Sequence, residues 1–105
     1  MLLNKVKNIS KKNLQSTLNF LILLNINIYP NPLNSSTTFE INSTSTFKLR
    51  YTFELYNIIG KQVKVVSNIT NNKFVISREN LPDGIYIYNI FSADTLISTG
   101  KLVVN

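Results

Sequence analysis

The chain has 105 residues, of which 44% are hydrophobic and 15% charged, and it contains no cysteine and no histidine. This length holds one small domain, and the composition is too apolar and too weakly charged for a disordered chain. Without Cys and His, the sequence excludes disulfides, thiol nucleophiles, Ser-His triads and ordinary zinc sites.

Residues 1–25 place lysines before an apolar run, which is the order found in a secretory signal peptide. Four of the eleven basic residues lie within the first dozen positions, so no nucleic-acid surface is expected in the rest of the chain. The apolar run, Leu18–Leu24, is interrupted by Asn19 and is too short for a transmembrane helix. Three interpretations stay open: a degenerate signal peptide, a short irregular or helical leader without function, or the remnant of a longer protein.

From residue 26 onward, short β-like segments alternate with turn residues. Ile26–Tyr29 and Thr37–Ile41 are predicted as the first two strands. In Phe47–Tyr56 apolar residues alternate with mostly polar ones, so one face of this strand is predicted to lie in the core and the other in water. Tyr29-Pro30-Asn31-Pro32 is predicted as an edge or corner, because each proline lacks an amide donor and holds the preceding residue extended.

Two turns are predicted from their residue types. Asn57-Ile58-Ile59-Gly60 has Asn at the first position of a type I turn and Gly where φ must be positive, which predicts a hairpin with a bulge that returns along Lys61–Val66. Residues 67–72 are predicted as a polar loop. Leu81-Pro82-Asp83-Gly84 predicts a second sharp turn, with Gly84 in the left-handed conformation.

The remaining strands follow from apolar content. Lys73–Ser77 is predicted as a short strand, Ile85–Phe91 as a central strand and the most buried one, and Thr95–Val104 as the last strand. Seven strands with no helix after Asn25 and no parallel crossover indicate an all-β, antiparallel, immunoglobulin-like sandwich over residues 26–105, behind the leader of residues 1–25.

Catalytic chemistry is not expected. The five acidic residues show no spacing typical of a carboxylate pair or a calcium loop, and the three glycines are isolated. The sequence therefore predicts no enzyme, no metal or cofactor, and no small-molecule substrate.

Four motifs occur in order: Tyr29-Pro30-Asn31-Pro32, ELYNIIGKQV at 54–63, LPDGIYI at 81–87 and STGKLVV at 98–104. Together they resemble the type A C-terminal sorting domain of proteins exported by the type IX (Por) secretion system of Bacteroidetes. The residues that match the family motifs, with mainly structural roles implied, are Tyr29, Pro30, Asn31, Pro32, Tyr56, Asn57, Gly60, Leu81, Gly84, Ile85 and Tyr86.

The resemblance implies an address signal that passes through the periplasm and is read by the outer-membrane secretion machinery. A cell-surface sortase would then remove the domain by a cut before Ile26, so that the cargo is anchored on the surface or released. The sequence departs from the family in ending at Asn105, where members often have a basic residue, and in lacking a preceding cargo domain. A fragment without its cargo is therefore expected.

Recognition is expected at the last strand, because an exposed edge strand offers unpaired amides and carbonyls to which a receptor strand can add. The candidate recognition residues are Gly100, Lys101, Leu102, Val103 and Val104. The same residues would otherwise simply complete a sheet.

Two other hypotheses stay open. The chain would be a stand-alone immunoglobulin-like binding or adhesion module, for example for glycans, if the rings of Tyr51, Tyr56, Tyr86 and Tyr88 are exposed and line a groove. The chain would otherwise be a non-functional gene fragment, a hypothesis that the weak match of residues 1–25 to a signal peptide supports.

Overall fold

The computed structural model of the protein describes residues 24–43 and 49–105. One compact unit comprises Ile26–Ile41 and Phe47–Asn105. Of the second unit, only Leu24, Asn25, Asn42 and Ser43 are described. The leader predicted for residues 1–25 therefore lies almost entirely outside the described residues, and the domain boundary at residue 26 stays a prediction.

The described residues form seven strands and no helix, which confirms the all-β prediction. The strands are β1 (Leu24–Tyr29), β2 (Ser36–Ser43), β3 (Tyr51–Tyr56), β4 (Gln62–Ile69), β5 (Lys73–Ser77), β6 (Gly84–Ser92) and β7 (Thr95–Val104). They make two antiparallel sheets, one in the order β1-β2-β5 and the other in the order β4-β3-β6-β7.

An aromatic cluster joins the two sheets. Phe39 of β2 contacts Phe53 of β3 and Tyr88 of β6, with ring centroids 5.1 Å apart in both pairs and edge-to-face geometry. It also stacks on Phe74 of β5 at 5.4 Å. Such pairs contribute about 0.5–1.5 kcal/mol each beyond the area they bury, so this cluster holds the sandwich together.

Strand β3 confirms the predicted alternation over the residues where it is paired. Tyr51, Phe53 and Leu55 are buried, whereas Thr52 and Glu54 are only partly so. The strand begins at Tyr51 because the strands on both sides end there: Tyr51 pairs with Ile69 of β4 and with Ser92 of β6.

The hairpin between β3 and β4 is also confirmed. Gly60 has φ 87° and its amide donates to the Asn57 carbonyl oxygen at 3.0 Å. The Asn57 side-chain oxygen accepts from the amides of Ile59 at 3.1 Å and Lys61 at 2.9 Å. A register shift after the Leu55 pair marks the predicted bulge.

The polar loop predicted for residues 67–72 begins later than expected. Strand β4 runs on to Ile69, which is buried and pairs with Tyr51. Asn68 takes a φ of 60°, and a register shift lies between this pair and the Phe53–Val66 pair. The prediction was wrong because one buried isoleucine in a polar stretch is enough to extend the strand.

Two predictions about β6 and its entry turn were wrong. The strand is central, but β3 is more buried, since Ile85 and Ile87 on the outer face of β6 are 47% and 41% exposed. The turn closes earlier than predicted, with the Leu81 amide donating to the Arg78 carbonyl oxygen at 3.1 Å. Gly84 has a positive φ of 159°, but this value lies far from the predicted αL conformation, and the residue begins β6.

The packing of the core against β7 requires a glycine at position 100. Gly100 pairs with Tyr88, and a Cβ at position 100 would lie 2.7 Å from the Tyr88 hydroxyl oxygen and 2.9 Å from Cζ. The Tyr88 ring has little room to move, because Phe39 and Phe53 both pack against it.

We therefore expect Gly100→Ala to destabilise the domain by about 1–3 kcal/mol through overpacking. For a domain of this size, each kcal/mol lowers the melting temperature by roughly 4–8 °C, which calorimetry or circular dichroism measures. Thr95→Ala, at an exposed position of the same strand, is the control and leaves the melting temperature unchanged. An unchanged value for Gly100→Ala would show that the Tyr88 ring moves at no cost.

Candidate recognition site at the last strand

Strand β7 is an edge strand of the four-stranded sheet, and it pairs with β6 from Thr95 to Val104. Leu102 and Val104 point into the core and are each 1% exposed. Lys101 is exposed and Val103 is half-buried. Of the predicted recognition residues, these two side chains and the backbone are therefore what the strand offers to a partner.

The outer edge of β7 is covered near its end by the segment that follows β1. The Leu33 amide donates to the Val103 carbonyl oxygen at 2.8 Å, and the Asn105 amide donates to the Leu33 carbonyl oxygen at 3.0 Å. These bonds make a parallel bridge between Leu33 and Val104, and the Leu33 side chain is buried in the core. Residues 31–34 thus add a short extra strand to β7.

Asn31 extends this pairing with its side chain. Its Nδ2 donates to the Lys101 carbonyl oxygen at 3.1 Å, and its Oδ1 accepts from the Val103 amide at 3.0 Å. The side-chain amide therefore occupies the place of a backbone peptide in the ladder. Asn34 Nδ2 adds a bond to the Asn105 carbonyl oxygen at 3.1 Å. We refer to Asn31, Leu33 and Asn34 as the edge clamp.

The Tyr29-Pro30-Asn31-Pro32 motif positions the clamp. The carbonyl oxygen of Pro30 accepts from the hydroxyl of the buried Thr37 at 2.7 Å, and the Tyr29 hydroxyl lies 3.3 Å from Glu40 Oε1. Both contacts attach the motif to β2. Because the prolines have no amide to offer, the Asn31 side chain supplies the pairing groups instead.

Arg78 connects the clamp to the turn before β6, and the sequence reading missed it. Its Nε donates to the Leu81 carbonyl oxygen at 2.9 Å, and its Nη2 pairs with the Asp83 carboxylate. Its Nη1 donates to the carbonyl oxygens of Asn34 at 3.2 Å and Asn105 at 3.3 Å. Nothing in the local pattern indicates this role, since an arginine after a short strand usually points into solvent.

The structure brings the four sequence motifs together at one end of the four-stranded sheet. On its outer face, Tyr56 is the cross-strand partner of Ile87, and Ile87 is the partner of Lys101. Three motifs thus each contribute one residue to a row of neighbours across β3, β6 and β7. Ile85 and Val103 form the next row. The clamp, whose Asn31 belongs to the remaining motif, lies against the edge of these rows.

The other motif residues are structural in their contacts. The Tyr86 hydroxyl donates to the Pro82 carbonyl oxygen at 2.7 Å, which fixes the entry into β6. Leu81 packs against the core, and Asn57 and Gly60 form the hairpin turn. The mainly structural role of the family motif residues and the recognition role of Gly100–Val104 stay predictions.

The tyrosine groove of the alternative hypothesis is not formed. Tyr51, Tyr86 and Tyr88 are 1%, 4% and 5% exposed. Burial raises the pKa of the Tyr51 phenol, whose hydroxyl donates to the Asn72 side chain at 3.2 Å. Tyr56 is half-buried. The pKa of its phenol is raised mainly by its hydrogen bond to Glu54, and further by burial and by the charge of that carboxylate. The observation that motivated a glycan-binding surface is therefore absent.

Within the two described ranges, no group of three or more potential metal ligands is present. A shallow depression of about 290 Å³ lies where β3 starts and β6 ends, and it is lined by Thr52, Glu54, Phe91, Ala93 and Asp94. In the same part of the chain, no helix is long and apolar enough to cross a membrane.

The sequence model of one family, the secretion system C-terminal sorting domain, matches residues 27–105. The chain belongs to this family. The match includes all four motifs and confirms the resemblance to the sorting domains of the type IX, or Por, secretion system. The residues at the end of the four-stranded sheet are thus those of a sorting domain.

Among solved structures, this sorting domain is similar to part of the dimeric latent PorU from Porphyromonas gingivalis, with a TM-score of 0.63 and 19% identity. The similarity covers 79% of this chain but 9% of that chain. At this identity it shows a shared fold alone. No curated protein matches the chain.

The clamp geometry gives a testable consequence. We expect Asn31→Ala to cost about 1 kcal/mol or more for the two hydrogen bonds lost. Hydrogen exchange at the Val103 amide should accelerate by about fivefold or more, because that amide loses its acceptor. Asn105→Ala is the matched control, since the clamp uses only the backbone of Asn105, and its Val103 exchange stays at the wild-type rate. Equal exchange rates of the Val103 amide in both variants would contradict the hydrogen bond from this amide to the Asn31 side chain.

Proposed function

We propose that residues 26–105 act as a C-terminal sorting signal that directs a cargo protein across the outer membrane by the type IX secretion system. The observation that carries this proposal is the family match over residues 27–105. The convergence of the four motifs at one end of the sheet supports it, since it turns dispersed sequence motifs into one surface.

The proposed partners are the outer-membrane secretion machinery and a cell-surface sortase. In this proposal the domain crosses the periplasm folded, is removed by a cut upstream of Ile26, and leaves its cargo at the outer-membrane surface or released. An immunoglobulin-like arrangement of the seven strands suits such a role, because a stable sandwich presents the signal on a rigid support.

The domain itself is proposed to bind and not to catalyse. In the described part of the chain, three of the five acidic residues each form one ion pair: Glu79 with Lys64 at 2.8 Å, Glu40 with Lys73 at 3.9 Å, and Asp83 with Arg78. Glu54 accepts a hydrogen bond from the Tyr56 hydroxyl at 2.8 Å. Carboxylates paired with lysine or arginine on a surface are poor candidates for a general acid or base, because no two of these three described residues face a common pocket.

The recognised surface is proposed to be the end of the four-stranded sheet that carries Lys101. Lys101 supplies one cationic group, and Ile85 and Ile87 supply exposed apolar area beside it. A single charge at the rim of an apolar patch is suited to orient a partner whose contact area is mainly apolar.

Fusion of residues 26–105 to the C-terminus of a periplasm-targeted reporter tests the function. In a type IX-competent bacterium, we expect the reporter to reach the cell surface or the medium, measured by protease accessibility of intact cells and by immunoblot of the medium. The reporter without the domain stays inside. Retention of the wild-type fusion in the periplasm would overturn the proposal.

We expect Lys101→Ala in this fusion to lower the exported amount by about tenfold, the effect of losing a hydrogen bond to a charged group. Lys73→Ala is the matched control, because Lys73 is an exposed lysine on the other sheet. Its export equals that of the wild type. Equal losses in both variants would show that charge in general, and not this site, matters.

A further inference from the structure

The outer edge of β7 consists of two halves that differ in their accessibility. From Lys101 to Asn105 the edge is covered by the clamp, which makes hydrogen bonds to the backbone groups of Lys101, Val103 and Asn105. From Thr95 to Gly100, and at the N–H of Lys101, no described residue pairs with the outer side of the strand, because β7 ends the sheet order. We refer to Thr95–Lys101 as the open half-edge.

The direction of the backbone groups follows from the pairing. In an antiparallel ladder, successive residues direct their N–H and C=O groups alternately toward and away from the partner strand. Both groups of Val103 bond the clamp and not β6, so Val103 faces outward. By alternation Gly100 bonds β6, whereas the backbone groups of Thr99 and the N–H of Lys101 point outward from the open half-edge.

A shallow, open depression, here called the groove, lies beside these groups. It has a volume of about 380 Å³ and is lined by Leu96, Ile97, Ser98 and Thr99. Leu96 is 48% exposed, and Ile97 has no Cα partner on β6 because the register shifts between the Ile90–Ser98 and Phe91–Leu96 pairs. The open half-edge therefore combines outward amides with an apolar depression.

The clamp itself shows what this edge accepts. A short extended segment pairs with the covered half through both backbone groups of Leu33, and its leucine side chain enters the core. The same edge continues into the open half as far as the bulge at Ile97, so the ligand that fits there is another extended segment. An apolar side chain of that segment would fill the groove beside Leu96.

Displacement of the clamp is the less favourable route for a partner strand. It would break five hydrogen bonds made by Asn31, Leu33 and Asn34, and it would expose the buried Leu33 side chain. Arg78 would also lose its bonds to the carbonyl oxygens of Asn34 and Asn105. Addition to the open half-edge breaks none of these contacts.

We infer that an extended peptide segment of the export machinery adds to β7 along Thr95–Lys101, beside the clamp and not in its place. This inference rests on the proposed function and moves the site of strand addition from Gly100–Val104 toward the first half of β7, so that the two sites share only Gly100 and Lys101. In the bound state the outward N–H of Thr99 donates to a carbonyl of the added strand, and the clamp continues to close the end of the domain.

Thr99→Pro in the reporter fusion is the direct test. Of the backbone hydrogen-bonding groups at this position, proline removes only the outward N–H. Edge strands tolerate proline where the N–H faces away from the sheet. Thr99→Ala is the matched control, because it removes the same hydroxyl bond to the Tyr88 carbonyl oxygen and keeps the amide. We expect the exported amount of the Thr99→Pro reporter to be about tenfold or more below that of Thr99→Ala, since the two variants differ in the backbone amide.

A side-chain variant covers the case in which Thr99→Pro lowers the melting temperature. Leu96→Glu places a charge in the groove at a half-exposed position, and Val75→Glu is its control on an exposed face of the other sheet. We expect a similar loss of export for Leu96→Glu and none for Val75→Glu, with both purified domains folded by circular dichroism.

Export of folded Thr99→Pro or Leu96→Glu at the wild-type level would overturn the inference, and it is the result expected if a partner replaces the clamp. That outcome leaves the proposed function standing, since the wild-type fusion is still exported. Failure of the proposed function appears differently, as retention of the wild-type fusion itself.

Discussion

The contact of Phe39 with Tyr88 is the interaction on which the rest of the sandwich depends. Phe39 is the residue of β2 that reaches across to the second sheet, and Tyr88 receives it at the centre of β6. The position of the Tyr88 ring in turn requires the glycine opposite it on β7. This contact joins the two sheets together with the contacts of Phe53 to Phe39 and Phe74, and the Tyr88 ring limits where the last strand can lie.

The placement of β7 creates an edge that must be closed. Unpaired edges invite aggregation, and proteins usually blunt them with charges, prolines, bulges or a covering segment. This domain covers one half with the clamp and bends the other half with a bulge near Ile97. The asparagine between two prolines is well suited to the first task, because its side-chain amide pairs with the strand where the backbone of the prolines cannot. The motif at the start of the domain and the strand at its end thus form one structural unit.

Local patterns predicted those parts of the fold that short-range chemistry decides. The alternation of Tyr51, Phe53 and Leu55 predicted their burial, and Asn57 with Gly60 predicted the hairpin, because both features depend on neighbours in the chain. Strand β6 was predicted to be the most buried strand from its apolar content, which includes Ile85 and Ile87. Periodicity alone does not distinguish an apolar side chain in the core from one left at a surface, and here both are partly exposed.

The sequence by itself determined the class of the fold, the family and the order of the four motifs, since these depend on residue types and their spacing along the chain. Only the tertiary structure decided which edges are open. Asn31 meets Lys101 and Val103 across about seventy residues, and Arg78 meets Asn34 and Asn105, because two sheets fold over one another. Backbone edges carry no sequence signal of their own: whether an amide is paired depends on which distant segment lies beside it.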